Sequence, residues 1–395
     1  MGTSRDVVVL SSVRTAVGGY GGSLKSIAPC ELAATVIREA VQRAGVDPST
    51  VGHTVLGNVI HTEARDMYVS RVASVNAGLP VDTPAFTLNR LCGSGLQAIL
   101  SATQQIETGH CDIAVGGGVE CMSRAGYTST SQRWGARMGD SAMVDMMVGA
   151  LTDPFEGVHM GITAENIAEK WGITREDQDQ LAVESHRRAA AAWEEGRFKE
   201  QIVPIEIKSR KGTILFEKDE HFRTDADMAG MAKLRPIFKK EGTVTAANAS
   251  GINDAASAIV LAAAETAEAN GLKPMARLVG YAFAGCEPKY MGIGPVPAVK
   301  RLLEDTGMSI SDFDLFEVNE AFAAQALAVV RDLDLPMDKT NPNGSGISLG
   351  HPIGATGSIV TTKAIHELHR TGGRFALVTM CIGGGQGIAA AFERM

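Results

Sequence analysis

The sequence predicts a duplicated α/β protein carrying an inserted loop domain, and three observations support that prediction. Strand-like, helix-like and glycine-rich stretches alternate from the first apolar run onward. Landmarks of the first third then return in the same order at one fixed offset, Gly45 against Gly307, Gly95 against Gly357 and Val115 against Leu377. The composition, with 44 glycines, 45% apolar and only 5% aromatic residues over 395 positions, suits two or three tightly packed α/β units better than a fibrous or disordered chain.

Taken in order, Val7 to Leu10 reads as a buried strand, and Glu31 to Ala44 has apolar residues at helical spacing before Gly45 ends it. Val51 to Val59 reads as a strand, Leu96 to Ile106 as a helix, and Asp112 to Val115, followed by three glycines, as another strand. The second copy repeats this, with the strand around Phe313 matching that around Val51. Between the copies the pattern changes. Ala164 to Trp171 and Arg175 to Trp193 are expected helices, and Ile202 to Phe216 a charged hairpin. Asn253 to Ala269 is read as an alanine-rich helix returning to the first half, with Gly271 to Pro274 as the junction to the second. The resulting division is 1–121 plus 250–271 for the N-terminal half, 122–249 for the inserted domain and 272–395 for the C-terminal half.

A net charge of −8 and the lack of any Lys/Arg run argue against nucleic acid or an anionic membrane as partner. Val7 to Leu10 is too short for a signal-peptide core, and Ala255 to Ala264 is far below membrane-spanning length. The six cysteines form no CxxC pair, which favours free thiols in a reducing compartment, so the expected location is cytoplasmic.

The chemistry concentrates in three motifs. Cys92 stands in Asn89-Arg90-Leu91-Cys92-Gly93-Ser94-Gly95 just before a helical pattern, where a helix N-terminus would lower its thiol pKa and make a thiolate nucleophile. The competing reading is a buried small hydrophobe, and for Cys30, Cys111, Cys121 and Cys286 that reading prevails. His351 stands in Gly350-His351-Pro352-Ile353-Gly354-Ala355-Thr356-Gly357, at the place in the second copy that Cys92 occupies in the first. Pro352 restricts it to extended backbone, from which it can take a proton from a nearby thiol. Cys381 precedes Gly383-Gly384-Gly385, a run that fails GxGxxG spacing and fits an oxyanion hole of backbone N–H groups better. Asn319, between an expected strand and helix, is an ordinary N-cap candidate or a polar amide at the cleft. His366 and His369 have no third ligand at metal spacing and read as a solvated helix face.

Together, Asn89 to Gly95, Asn319-Glu320-Ala321-Phe322, Gly350 to Gly357 and Cys381 to Gly387 resemble the thiolase family, in order and across nearly the whole chain. The resemblance implies the five-layered α-β-α-β-α fold with an inserted loop domain and no metal or redox cofactor, coenzyme A entering as a substrate. It implies that Cys92 is acylated, that His351 activates it and that Cys381 moves the α-carbon proton of acetyl-CoA. One oxyanion site would use His351 with a water held by Asn319, and the other the N–H groups of Cys92 and Gly383. By the same resemblance His159, Met160, Met291 and Phe322 line the acyl and pantetheine region, Ser250 touches the pantetheine arm and Arg223 lies near the nucleotide. Arg210, Lys211, Arg223, Lys233 and Arg235 supply the basic patch that an acidic chain needs for a phosphate-bearing ligand. A homotetramer joined through roughly 123–143 is expected. Arg90, where many acetoacetyl-CoA thiolases have glutamine, and the stretch Thr62 to Tyr68 look similar to broad-specificity β-ketothiolases that also accept 3-ketovaleryl-CoA. The alternatives are a decarboxylating ketoacyl synthase, against which Cys381 argues, and a non-catalytic acyl-CoA scaffold.

Overall fold

The computed structural model describes residues 5–209 and 212–395. The first half supplies β1 (Val7–Arg14), α1 (Pro29–Ala44), β2 (His53–Gly57), β3 (Ala85–Leu88), α2 (Ser94–Glu107), β4 (Ile113–Cys121) and β5 (Asn253–Ala263). The inserted stretch between β4 and β5 contributes α3 (Met160–Trp171), α4 (Arg175–Glu194) and a hairpin of Ile205–Ser209 with Gly212–Phe216. The second half supplies β6 (Ala276–Gly285), α5 (Pro295–Thr306), β7 (Leu315–Val318), α6 (Ala323–Leu333), α7 (Ile353–Thr371), β8 (Phe375–Ile382) and β9 (Gln386–Arg394).

The strands join in the order β7-β8-β9-β6-β1-β5-β4-β2-β3, with the short Gly18–Gly19 segment beside β5. From the β6–β1 seam outward each half repeats one sequence of strands, β1-β5-β4-β2 on one side and β6-β9-β8-β7 on the other. The seam is narrow, pairing Val8 with Arg277 and Val9 with Ala276. The apolar clusters define the layers. One packs α1 on the outer face of the first sheet half, and another packs α5 and α6 on the outer face of the second. Between them, Leu96, Ile99 and Ala102 of α2 and Val360, Ala364 and Leu368 of α7 share a core with strands of both halves. This is the expected helix–sheet–helix–sheet–helix stack.

The repeat is visible in three dimensions. Gly45 and Gly307 both end helices in the left-handed region, at φ 67° and 70°. Gly95 and Gly357 meet each other: a Cβ on Gly95 would lie 2.6 Å from Ser358 N, and one on Gly357 2.2 Å from Leu96 N. The N-terminal turns of α2 and α7 therefore touch backbone to backbone, which only glycine permits.

One expected helix is a strand. Asn253–Ala263 pairs with β1 on one side and β4 on the other, buried at every residue, and only Ala264–Ala269 is helical. Alanine's helix preference, a few tenths of a kcal/mol over most residues, is overridden where small side chains let helices pack on both faces of a central strand. The inserted stretch is fastened to the first strand by a buried cluster: the Arg14 guanidinium bonds the Asp219 carboxylate at 2.8 and 3.1 Å and Gln201 at 2.7 Å, and lies over Phe198. Burial of a charged pair is tolerable because its hydrogen bonds are filled.

Candidate active site

Cys92 lies in a tight turn, Leu91–Gly93, that leads into α2. Leu91 has φ 44°, a conformation costing a branched residue on the order of 1–2 kcal/mol. That strain presents the sulfur toward the loop Gly383 to Gly385 between β8 and β9, where Gly384 and Gly385 are both at φ 82°. The N–H groups of Gly383 and of Cys92 itself point at the Cys92 sulfur. A Cβ on Gly383 would meet Met160 Cε at 2.6 Å and Leu91 Cδ1 at 3.0 Å, so a side chain there would fill the site.

The thiol departs from expectation. Burial pushes Cys92 up to about 11, the N–H groups of Gly383 and Cys92 failing to offset it. Cys381, at the end of β8 and fully buried, is pushed well above the ordinary thiol range, first by burial and then by its neighbour Cys92. Both shifts favour the protonated thiol, and Cys92 is close enough to Cys381 to add to the second.

His351 precedes α7, its backbone N–H donating to Asn253 Oδ1 at 3.0 Å. Its Nδ1 lies 2.6 Å from Thr356 Oγ1, which donates its one proton to Pro352 O at 3.0 Å. Thr356 therefore accepts from Nδ1–H, leaving the Nε2 lone pair toward Asn319 Nδ2 at 3.4 Å. Burial pulls the imidazole down to about 4, which keeps it neutral and able to accept a proton. Asn319 is not an N-cap: α6 begins four residues later with Phe322 in that position. It is held by the neighbouring strand β8, its N–H donating to Thr379 O at 3.1 Å.

Met160, Met291, Phe322 and Ala249 surround Cys381 in one apolar cluster with Phe238 against it. His159 caps α3, its Nδ1 accepting from Gly161 N–H at 3.0 Å, and stacks on Phe238 with ring centroids 4.5 Å apart. Ser250 donates its N–H to Ala321 O. Arg223 is separate from the thiols. It lines a cavity of about 320 Å³ with His186, His221 and Asp225, and Ala249 lines that cavity as well as packing in the Cys381 cluster. Lys233 and Arg235 are exposed nearby in sequence, while Arg210 and Lys211 fall outside the described residues.

Sequence reasoning missed Phe238, Asn253 and Thr356. Each is ordinary in its local context and gains its place through the fold. His366 is not on a solvated face, being half-buried with its Nε2 bonding Ser12 O at 2.9 Å, whereas His369 is exposed as expected and its Nε2 bonds Met275 O at 2.8 Å, so the two tie α7 to the first half and to the junction before β6. Among the described residues no group of three His, Cys, Asp or Glu is placed to hold a metal ion, and no helix is long and apolar enough to cross a membrane.

Comparison with known proteins bears on this arrangement. Residues 7–265 match the family description "Thiolase, N-terminal domain" and residues 272–394 "Thiolase, C-terminal domain". The chain is 62% identical over 393 residues to the beta-ketothiolase BktB of Cupriavidus necator, covering 99% of this chain and 100% of that one. It superimposes on the Bacillus anthracis acetyl-CoA acetyltransferase with a TM-score of 0.98 at 46% identity, covering 100% of both chains. The human mitochondrial 3-ketoacyl-CoA thiolase in complex with CoA gives 0.95 at 43%, covering 99% of this chain and 98% of that one.

Proposed function

The chain belongs to the thiolase family in both of its halves, and from that premise we propose how its residues make and break a 3-ketoacyl-CoA. The chain is an acyltransferase that reversibly condenses acetyl-CoA with an acyl-CoA, releasing CoA. Cys92 attacks the acyl-CoA carbonyl while His351 Nε2 takes its proton. The N–H groups of Cys92 and Gly383, already converged on the sulfur, receive the developing oxyanion. The carbon–sulfur bond to CoA breaks and the departing CoA sulfur takes the Cys381 proton. The Cys381 thiolate then removes an α-proton from acetyl-CoA, and the enolate carbon attacks the acyl-Cys92 carbonyl. The oxygen of that enolate is held by protonated His351 and by a water on Asn319. Cys92 leaves as a thiolate and recovers its proton from His351. Thiolysis runs these steps backward. What supports this most is the geometry around Cys92: its sulfur faces the N–H groups of Gly383 and of Cys92 itself, Cys381 lies beside it, and the His351 turn packs against it through Ile353.

His159, Met160, Met291 and Phe322 enclose the acyl and pantetheine end, Ser250 lies along the arm and the Arg223 cavity takes the nucleotide. Exposed Asp225 and Asp227 at that cavity make the adenine end as relevant to its fit as the phosphates. A second cavity of about 380 Å³, lined by Val59, Ile60, Leu91, Met146, Gly149 and Ala150, opens beside Leu91. It offers an acyl chain longer than acetyl somewhere to lie, which supports a β-ketothiolase that takes 3-ketovaleryl-CoA as well as acetoacetyl-CoA. CoA-dependent thiolysis of 3-ketoacyl-CoA substrates of increasing length is expected to retain activity beyond acetoacetyl-CoA, and confinement to acetoacetyl-CoA would refute the broader specificity.

The same chain forms a cytoplasmic homotetramer in this reading. Its support is the arm between Tyr127 and Val148, where Trp134 is 90% and Met138 95% exposed and Met143 and Val144 are also open, an apolar surface that a second copy would cover. Light scattering is expected to give about four times 41.5 kDa, and a dimer mass would refute it.

A further inference from the structure

Glu120, near the end of β4, is fully buried, and its carboxylate joins the two halves directly behind the reacting groups. Oε1 accepts from Ile60 N–H at 3.1 Å and from Asn58 Nδ2 at 3.3 Å. Oε2 accepts from Val59 N–H at 3.1 Å and from Gly354 N–H at 2.8 Å. The first three donors belong to the loop leaving β2 in the N-terminal half. Gly354 belongs to the first turn of α7 in the other half, just beyond His351 and Pro352.

Four donors on two oxygens suit an acceptor-only carboxylate, and its negative charge complements the N-terminal end of α7. A Cβ on Gly354 would come within 2.5 Å of Oε2, so the approach depends on that glycine. The loop that Glu120 holds on its other side is the wall of the Cys92 site: Ile60, Ile353, Val59 and Cys92 pack in one cluster. With Asn253 on the His351 N–H and Glu120 on the Gly354 N–H, the histidine turn is fixed at two points by strands of the opposite half.

We propose that Glu120 is a positioning residue for acyl transfer, its carboxylate fixing the His351 turn against the Cys92 turn across the boundary between the halves. It touches neither substrate nor reacting atoms. The inference rests on the assignment of Cys92 and His351 as the acyl-transfer pair. The titratable groups around it are Asp254 on β5, Cys121 beside it on β4, and Cys92. Burial pushes the Glu120 carboxyl up and the three peptide N–H groups oppose it, and because all four of its partners are donors, the carboxylate is the form they hold. The Glu120 charge in turn raises the Cys92 thiol.

The two effects separate under mutation. In Glu120→Gln the amide turns an N–H toward donors that need an acceptor, so the His351 turn shifts, and a displacement of about 1 Å at such a group costs about 100-fold. Single-turnover acetylation of Cys92 by acetyl-CoA is therefore expected to slow about 100-fold, with KM for acetyl-CoA within about threefold of wild type. Alkylation of Cys92 by iodoacetamide, which does not use the histidine turn, is expected to be kept or faster because a neighbouring negative charge is gone. Glu120→Asp, which keeps the charge, is expected to regain part of the acetylation rate. Gly354→Ala, which presses on the same contact from the other side, is expected to reproduce the acetylation defect and serves should Glu120→Gln fail to fold. Wild-type acetylation in Glu120→Gln or in Gly354→Ala, or acetylation and alkylation falling together, would overturn the positioning role. Absence of acetylation in the unmodified protein would instead overturn the functional reading beneath it.

Discussion

Cys92→Ser is expected to lose acyl-enzyme formation, with turnover down on the order of 10⁴-fold or more. Burial already holds the Cys92 thiol at about 11 and the His351 imidazole at about 4, so proton transfer between them is uphill and succeeds only because sulfur is a strong nucleophile. A serine hydroxyl, far less acidic, would leave the same neutral imidazole with an insufficient driving force. Intact-protein mass spectrometry after mixing with acetyl-CoA reads this directly: an acetyl adduct on the wild-type chain and none on the variant. Binding of acetyl-CoA by the wild type without any adduct would instead support a non-catalytic scaffold. The sign of the thiol shift gives a second readout on the same residue. A thiol raised to about 11 is mostly protonated at neutral pH, and its thiolate fraction grows tenfold per pH unit below that value. Inactivation of the wild type by iodoacetamide should thus keep rising between pH 7 and 10, where an ordinary thiol levels off near 8.5.

Cys381→Ala is expected to separate the two halves of the reaction. The CoA sulfur leaves readily as a thiolate without acid help, so the variant should still acetylate Cys92 and release one equivalent of CoA. It has no group to remove the α-proton of the second acetyl-CoA, and condensation should fall on the order of 10³-fold. A stoichiometric burst of CoA followed by very slow acetoacetyl-CoA formation is the expected trace. Normal condensation would remove Cys381 from the mechanism, and activity with malonyl but not acetyl thioesters would move the protein toward the decarboxylating condensing enzymes.

The reactive motifs were legible because each sets its reactive side chain beside glycines, and because the common offset put the Cys92 and His351 turns at equivalent places in two copies. The duplication followed from the same repeat, while the five layers came with the family resemblance. What was illegible depends on distant partners. Glu120 reaches Gly354 across 234 positions and Asn253 reaches His351 across 98, and nothing in the local sequence of either residue announces those bonds. Asn253–Ala263 was misread because alanine favours helices locally, while its actual conformation is set by β1 and β4 on its flanks. Asn319 resembled an N-cap because a helix does follow, but one full turn later than the pattern suggests. The Cys92 thiol moved opposite to expectation because a helix N-terminus is visible in sequence and desolvation by the second half is not.

The place of the first strand in the sheet bears on how this chain is made. β1 lies between β5 and β6, so neither of its neighbours exists until residues 253–285 have left the ribosome. At about 5–20 residues per second, Val7-Val8-Val9-Leu10 waits on the order of 10–50 seconds as an unpaired apolar segment. The nascent chain therefore spends most of its synthesis with both sides of this apolar strand unpaired, open to pairing with another chain.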